Sequence, residues 1–431
     1  VEQLSRLTAH ETRSLSVDRA LLEFKERSRI ELAPNQRAAV QAAADNQVFI
    51  VTGGPGVGKT TIVRAIVQVF ERARLATRLA APTGRAAKRM SEATGRDACT
   101  LHRLLEFDPK SFSFQRGRER PLGAGAVIVD EASMIDVPLA AALLEALPDK
   151  CRLVIVGDAD QLPSVGPGAF LRNVLESRCI TAVHLDRIFR QAAHSTIIQN
   201  AHRILRGEPP TGDDREKSDA DFFIIPCEQA EQAAELVRRL VVERIPRRFG
   251  FDPPQIQVLT PMHRGRAGTS QLNAMLQEAL NPNGPWLDSQ DQKLRVGDKV
   301  LQTRNDYERD VFNGDLGTIA SLNSDKKSLI VDFSGRSVEY DSRDLDMLTL
   351  AYATSIHKSQ GSEYPAVVVP LLTSHYVMLS RNLLYTAVTR AKQLCVLITS
   401  RRALGIALGE TRREQRLTRL CERLQEALAR S

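Results

Sequence analysis

Aromatic residues make up only 5% of the 431-residue chain, and Trp286 is its single tryptophan. A continuous track of base-stacking platforms is therefore excluded, and any grip on a nucleic acid has to fall mainly on phosphates and sugars. Such a grip implies weak sequence preference and strong salt dependence. Trp286 itself reads as a packing residue. Long apolar runs are missing as well: no stretch reaches the roughly 20 residues that span a bilayer, and no secretory signal heads the chain. The six cysteines, Cys99, Cys151, Cys179, Cys227, Cys395 and Cys421, show no C-x-x-C or Cys/His spacing. They read as reduced thiols of a cytosolic protein, neither metal ligands nor disulfides. No second carboxylate cluster with metal spacing appears, which argues against a nuclease. No internal repeat is present either. The first residue is Val1 and not Met, as expected of a fragment or processed chain with an N-terminal region missing.

What is present is a globular composition, 42% hydrophobic and 26% charged. The length suggests about three domains. A net charge of +7 suits an anionic partner such as nucleic acid, and equally a solvated arginine-rich face.

The most informative stretch is Val48-Phe49-Ile50-Val51-Thr52-Gly53-Gly54-Pro55-Gly56-Val57-Gly58-Lys59-Thr60-Thr61. Its β-branched and aromatic start reads as a buried strand. Gly53, Gly54, Gly56 and Gly58 let the following turn approach a ligand with its backbone. Ile62, Val63, Ile66, Val67 and Phe70 then recur at helical spacing. Strand, glycine loop, Lys-Thr and helix form a phosphate-binding P-loop in its required context. Gly54, Pro55, Gly56, Val57, Gly58 and Thr61 would surround the phosphates of ATP. Lys59 would reach the β/γ pair, and the Thr60 hydroxyl would ligate Mg²⁺.

Strands and helices alternate from there. Leu79-Ala80-Ala81 leads to Pro82-Thr83-Gly84 and a helix, Ala126-Val127-Ile128-Val129 ends in Asp130-Glu131, and Leu153-Val154-Ile155-Val156 ends in Gly157-Asp158. Polar residues at strand carboxyl ends mark where open α/β sheets bind ligands. A first parallel core is expected over 34–177, preceded by a helical segment over 1–33. Phe112 and Phe114 alternate with serines, and Gln115-Arg116-Gly117-Arg118 is a plausible turn, so 106–122 reads as a β-hairpin with a basic tip. A second α/β core is expected over 178–289 and 346–431. Short strands with tight turns over 290–345 suggest an inserted small β-barrel. The leucines of 401–431 read as basic amphipathic helices packed on a core.

Asp130 would hold Mg²⁺, and Glu131 would orient and deprotonate an attacking water. Gln161 either bonds the γ-phosphate or belongs to a turn-forming polar cluster. The stretches Gly53 to Thr61, Leu79 to Met90, Val127 to Met134, Leu153 to Gly168, Leu185 to Gln191, Ala353 to Val369 and Leu384 to Lys392 together resemble superfamily 1 helicases. Within these the chain looks most like the RecD-like branch, over nearly its whole length. Asp130-Glu131-Ala132-Ser133 and His357-Lys358-Ser359-Gln360-Gly361 are the most telling motifs.

The resemblance implies an α/β fold of two RecA-like P-loop NTPase cores, with the hairpin in the first and an SH3-like barrel in the second. It implies ATP- and Mg²⁺-dependent movement 5′→3′ on single-stranded DNA, action at single-strand/duplex junctions, and a monomer in the bacterial cytoplasm without membrane partners. Gln36 matches an adenine-reading glutamine, Arg190 and Arg390 the arginines that approach the γ-phosphate, and Glu363 a residue near the ribose. Thr83, Arg85, Thr100, His102, Arg103, Thr260, Arg264, Thr354, His357 and Lys358 match DNA-contacting positions. His102 and His357 lack companions at ligand spacing and do not read as metal ligands. The hairpin would contact DNA as a wedge, or be a structural decoration. An RNA helicase of the same superfamily and a nucleotide-switched binding module without unwinding stay open.

Overall fold

The computed structural model describes residues 1–9, 12–186, 194–213, 220–289, 292–306, 308–410, 416 and 418–428. The chain forms two compact units, Val1–Ala193 with Glu414–Ser431, and His194–Arg413. Among the described residues no helix is long and apolar enough to cross a membrane.

In the first unit the strands are β1 (Val48–Gly53), β2 (Thr77–Ala81), β3 (Ala98–Thr100), the short pair β4 (Phe107–Asp108) and β5 (Ser113–Phe114), β6 (Ala126–Val129), β7 (Arg152–Gly157) and β8 (Ala182–Leu185). Six of them form one sheet in the order β3-β2-β6-β7-β1-β8, parallel throughout. Every residue of β1, β6 and β7 is buried. Side chains alternate across a strand, so Val48 and Ile50 enter one core with Leu143 and Phe170. Phe49 and Val51 enter the other with Ile66 and Phe70. That two-sided burial is why these strands are continuous apolar runs. The segment before residue 34 serves both faces: Leu4 and Leu7 join the first core, Leu21 and Phe24 the second.

Two expected boundaries shift. β8 pairs with β1 from Ile50↔Ala182 to Gly53↔Leu185, so the first core extends past residue 177. As an edge strand mostly open to solvent it carries no apolar run to announce it. The C-terminal helix Leu420–Leu428 belongs to the first unit, not the second. It packs on the helix Phe170–Ser177 and sinks Leu424 into the core that holds Leu4 and Val174.

The second unit contains β9 (Phe222–Pro226), β10 (Ile256–Thr260), β11 (Trp286–Ser289), β12 (Gln292–Arg295), β13 (Lys299–Gln302), β14 (Leu316–Asn323), β15 (Ser328–Asp332), β16 (Ser337–Tyr340), β17 (Leu348–Leu350), β18 (Ala353–Ser355), β19 (Tyr364–Leu371) and β20 (Ala391–Thr399). A parallel sheet runs β18-β10-β19-β20-β9. The insertion is an antiparallel sheet, β16-β15-β14-β13-β17, preceded by the hairpin β11–β12. It therefore begins and ends slightly outside 290–345. Its Val300, Ile319, Val331 and Tyr340 share one apolar core with Val258, Val368 and Val396 of the parallel sheet. Asp298, fully buried, accepts from Asn281 Nδ2 (2.8 Å), Arg295 N (2.7 Å) and the Tyr352 hydroxyl (2.9 Å), tying insertion to core. Trp286 is not a packing residue: it is 45% exposed, with Lys293 Nζ 4.0 Å from its ring centroid.

Because Leu424 is fully buried in the first unit, Leu424→Ala is expected to cost about 2–5 kcal/mol. Denaturant titration of the first unit's transition measures it, and an unchanged midpoint would refute the packing.

Candidate nucleotide and nucleic-acid site

The P-loop leaves the carboxyl end of β1 and enters the helix Lys59–Arg72. Gly56 and Gly58 take φ of +72° and +83°, values that carry a steric cost for any residue with a β-carbon. The helix N-terminus presents N–H groups that suit an anion. Lys59 Nζ donates to the carbonyls of Gly53 (2.5 Å) and Gly54 (2.8 Å), so the ammonium lies inside the curve of its own loop. Thr60 is exposed and Thr61 half-buried. Gln36 is buried beside this loop: Oε1 accepts from Ala33 N at 3.1 Å, and Nε2 donates to Val57 O at 3.5 Å. The helix Pro34–Asp45 thus holds Gln36 against the P-loop and away from solvent.

Next to β1 lies β7, and next to β7 lies β6, so three neighbouring carboxyl ends carry the chemistry. Asp130 follows β6, and its Oδ1 accepts from Glu131 N at 2.8 Å. Desolvation, aided by the Glu131 charge, raises the Asp130 carboxyl to about 6 against the opposing pull of Lys59 and Arg89. Glu131 has φ of +53°, an uncommon left-handed conformation that opens the turn Ala132–Met134. Gly157 ends β7. A β-carbon there would meet Leu171 Cδ2 at 2.8 Å, Ala132 N at 3.1 Å and Ser133 N at 3.2 Å. The acidic turn can sit where it does because that position is bare.

Gln161 is buried, with Nε2 donating to Asp158 Oδ2 at 3.2 Å. Its Oε1 is buried with no hydrogen-bond partner among the described residues. Half of the amide is anchored and half is unsatisfied, which suits a group that exchanges partners. The sequence marks Asp158 as a polar strand end without assigning it a role; the structure shows it anchoring the Gln161 amide. Among the described residues no three His, Cys, Asp or Glu group together to hold a metal. The Thr60 hydroxyl and one carboxylate, Asp130, instead fit Mg²⁺ bound largely through phosphate oxygens and water.

Arg190 lies outside the described residues. Arg390, in the second unit, is 3% exposed and donates to Ser362 O (2.9 Å), Thr386 O (3.3 Å) and Thr389 Oγ1 (3.4 Å). Glu363 pairs with Lys392 at 3.4 Å.

The expected nucleic-acid residues divide. Arg103, Arg264 and Lys358 are exposed; Arg85 and His357 are half-buried. Surrounding protein lowers the Lys358 pKa by desolvation. Thr83 caps the helix Gly84–Thr94, accepting from Ala86 N at 3.3 Å. Three others are buried. Thr100 is a buried cap accepting from Arg103 N at 3.2 Å. Thr260 donates to Ala267 O at 2.7 Å, closing its loop, and buried Thr354 lies 3.5 Å from Gln257 Nε2. In this structure the three hydroxyls are engaged within the protein, at the ends of β3 and β10 and inside β18. His102 packs its ring on Phe107 and Phe114, with centroids 5.5 and 5.7 Å away, and burial lowers its pKa.

The hairpin turns earlier than expected. β4 pairs with β5 through Phe107↔Phe114, leaving residues 109–112 as the tip. Phe112 stands there 84% exposed with φ of +51°. Arg116 and Arg120 are at the base, paired with Glu106 at 2.6 and 2.9 Å. The tip is therefore aromatic with one lysine, Lys110, and not an arginine cluster.

Residues 36–167 match the family model described as an AAA domain, 272–333 that of the ATP-dependent RecD-like DNA helicase SH3 domain, and 350–398 that of the UvrD-like helicase C-terminal domain. The RecBCD enzyme subunit RecD of Mycolicibacterium smegmatis is 33% identical over 91% of this chain and 75% of its own length. The chain belongs to the RecD-like helicases. Another relative, the ATP-dependent RecD2 DNA helicase of Deinococcus radiodurans, is 38% identical over 92% of this chain; the chain spans 53% of that protein. Bacteroides Pif1 bound to single-stranded DNA shares the fold, with a TM-score of 0.53 and 19% identity over 91% of this chain and 94% of its own. The RecD-like fold thus accounts for both RecA-like units and for the SH3-like insertion.

To hold Mg²⁺, Asp130 would have to be ionised, and its carboxyl is raised to about 6. Affinity for Mg²⁺-nucleotide is therefore expected to fall as pH drops through 6, approaching tenfold per pH unit below it. Nucleotide phosphates titrate nearby, so the reading is the difference from Asp130→Asn. Parallel pH profiles for the two proteins would refute it.

Proposed function

We propose that this chain is the motor of an ATP-dependent DNA helicase that moves 5′→3′ on single-stranded DNA and parts duplex at a junction, in bacterial DNA repair or recombination. The carrying observation is the row of strand ends in the first unit: P-loop after β1, Asp158 and Gln161 after β7, Asp130 and Glu131 after β6. The direction of movement and the preference for DNA rest on membership of the family.

The residues supply the following chemistry. When ATP enters, Lys59 exchanges the carbonyls of Gly53 and Gly54 for the β- and γ-phosphates. Gln36 meets the adenine from beside the loop. Bound Mg²⁺, held by Thr60 and Asp130, would neutralise charge on the phosphates. Glu131 accepts a proton from water as its oxygen bonds to the γ-phosphorus, and the bond to the bridging oxygen breaks with its electron pair leaving on ADP. Gln161 moves from Asp158 to the γ-phosphate. Arg390 gives up its three internal acceptors to stabilise the transferring group, a role Arg190 shares. Each exchange replaces a bond inside the protein with one to nucleotide, so nucleotide state is written into loop positions. Opening each base-pair step costs about 1.4 kcal/mol on average. The exposed Phe112 at the hairpin tip is placed to hold a step open by stacking.

Lys59→Ala is expected to abolish strand-stimulated ATP turnover, and normal turnover by that variant would sink the assignment. Wild-type protein should unwind duplexes with a 5′ tail and leave 3′-tailed ones paired; the reverse preference would overturn the direction. For Arg390→Ala the expectation is retained ATP binding with single-turnover hydrolysis lowered about 10³-fold or more. Loss of both together would show a packing role for Arg390.

A further inference from the structure

The loop that carries Gln161 is held from behind by residues far along the chain. Arg416 Nη1 donates to Gly168 O at 2.9 Å, to Ser164 Oγ at 3.4 Å, and to Gly166 O. Ser164 Oγ itself lies 3.2 and 3.3 Å from the same two carbonyls, so one guanidinium and one hydroxyl close the turn from Ser164 to Gly168. The opposite side of the turn rests on the segment that follows the acidic pair. Val137 N donates to Pro167 O at 3.0 Å. A β-carbon on Gly166 would meet Asp136 Oδ2 at 1.9 Å, and one on Gly168 would meet Val137 Cγ2 at 2.4 Å. The turn is clamped between Asp136-Val137 and Arg416.

Beyond Arg416 the strap is well anchored. The Thr418 hydroxyl bonds Asn173, Gln425 Nε2 donates to Ser177 O at 3.3 Å, and Leu424 is fully buried. Only buried Leu162 and Pro163 separate Gln161 from Ser164, and proline fixes its own φ. A displacement of the turn therefore passes to Gln161 with little slack.

Resting on the reading of Gln161 above, we infer that Arg416 is a positioning residue: the strap formed by residues 416 and 418–428 sets where Gln161 stands relative to the γ-phosphate. Its guanidinium is engaged by the turn itself, and it acts through that turn.

The test compares Arg416→Ala and Arg416→Lys in the full chain at saturating single-stranded DNA. Arg416→Ala is expected to lower kcat for ATP about tenfold with KM within about twofold, since small misplacements of a reacting group are costly to rate. Lysine, which keeps the charge but loses the planar fork, should recover part of that. In a Gln161→Ala background Arg416→Ala should cause no further loss, because the two act as one unit. Backbone amides of the non-proline residues of 162–168 (Leu162, Ser164, Val165, Gly166 and Gly168) should exchange faster with deuterium in Arg416→Ala. If that variant fails to fold, Arg416→Lys carries the same comparisons. Wild-type kcat in Arg416→Ala, or an equal fractional loss in the Gln161→Ala background, overturns the proposal. Should the wild-type chain turn over no ATP, the functional reading fails while amide exchange still tests the strap, and unchanged exchange over 162–168 refutes it.

Discussion

Parallel pairing of β1, β7 and β6 is the constraint on which the site depends. Three loops of different chemistry become neighbours only because the strands before them are locked side by side, Val51↔Val156 on one side of β7 and Val129↔Ile155 on the other. A slip of one residue would move each of those side chains to the opposite layer, where it would meet different packing partners, so close packing on both faces holds the register. The glycine that ends β7 adds the last restriction. Its bare α-carbon lets the Ala132-Ser133 backbone approach, and with it the left-handed Glu131.

The second unit uses the same sheet type for a different purpose. Its insertion is joined to the parallel sheet through one continuous apolar core and through the buried carboxylate of Asp298. A barrel hung on flexible linkers would move independently of its host. This one shares the host's core, so the two pack as one body. Force applied to the insertion would be felt in β10 and β19.

How much of this was legible follows from what a sequence pattern encodes. The P-loop, β6 and β7 were plain because two-sided burial writes uninterrupted apolar runs and because glycine spacing encodes a backbone shape. β8 was not, since an exposed edge strand needs no such run. The leucines of the C-terminal helix announced that it packs, but periodicity names a face and never the partner. Composition points to a turn at Gln115-Arg116-Gly117-Arg118, whereas the chain turns at 109–112 behind Asp108, whose carboxylate accepts from Lys110 N at 2.9 Å and from the Ser111 hydroxyl at 2.7 Å. Likeness to a family matched Thr100, Thr260 and Thr354 to DNA-contacting positions, which lie at the ends of β3 and β10 and inside β18. It could not tell that their hydroxyls turn inward, because side-chain direction depends on neighbours such as Ala267 that no motif contains.

The chain's path has a consequence for biosynthesis. The polypeptide builds most of the first unit, then all of the second, and only afterwards supplies Leu424 and Arg416 to the first. During translation most of the first unit therefore emerges before its neighbour but waits, with the pocket for Leu424 open, until that neighbour has been made in full. A ribosome stalled within the second unit would display an unfinished apolar surface beside Phe170–Ser177, a natural place for a chaperone to hold. A fragment ending at the boundary of the first unit would inherit the same defect, whatever its P-loop promised.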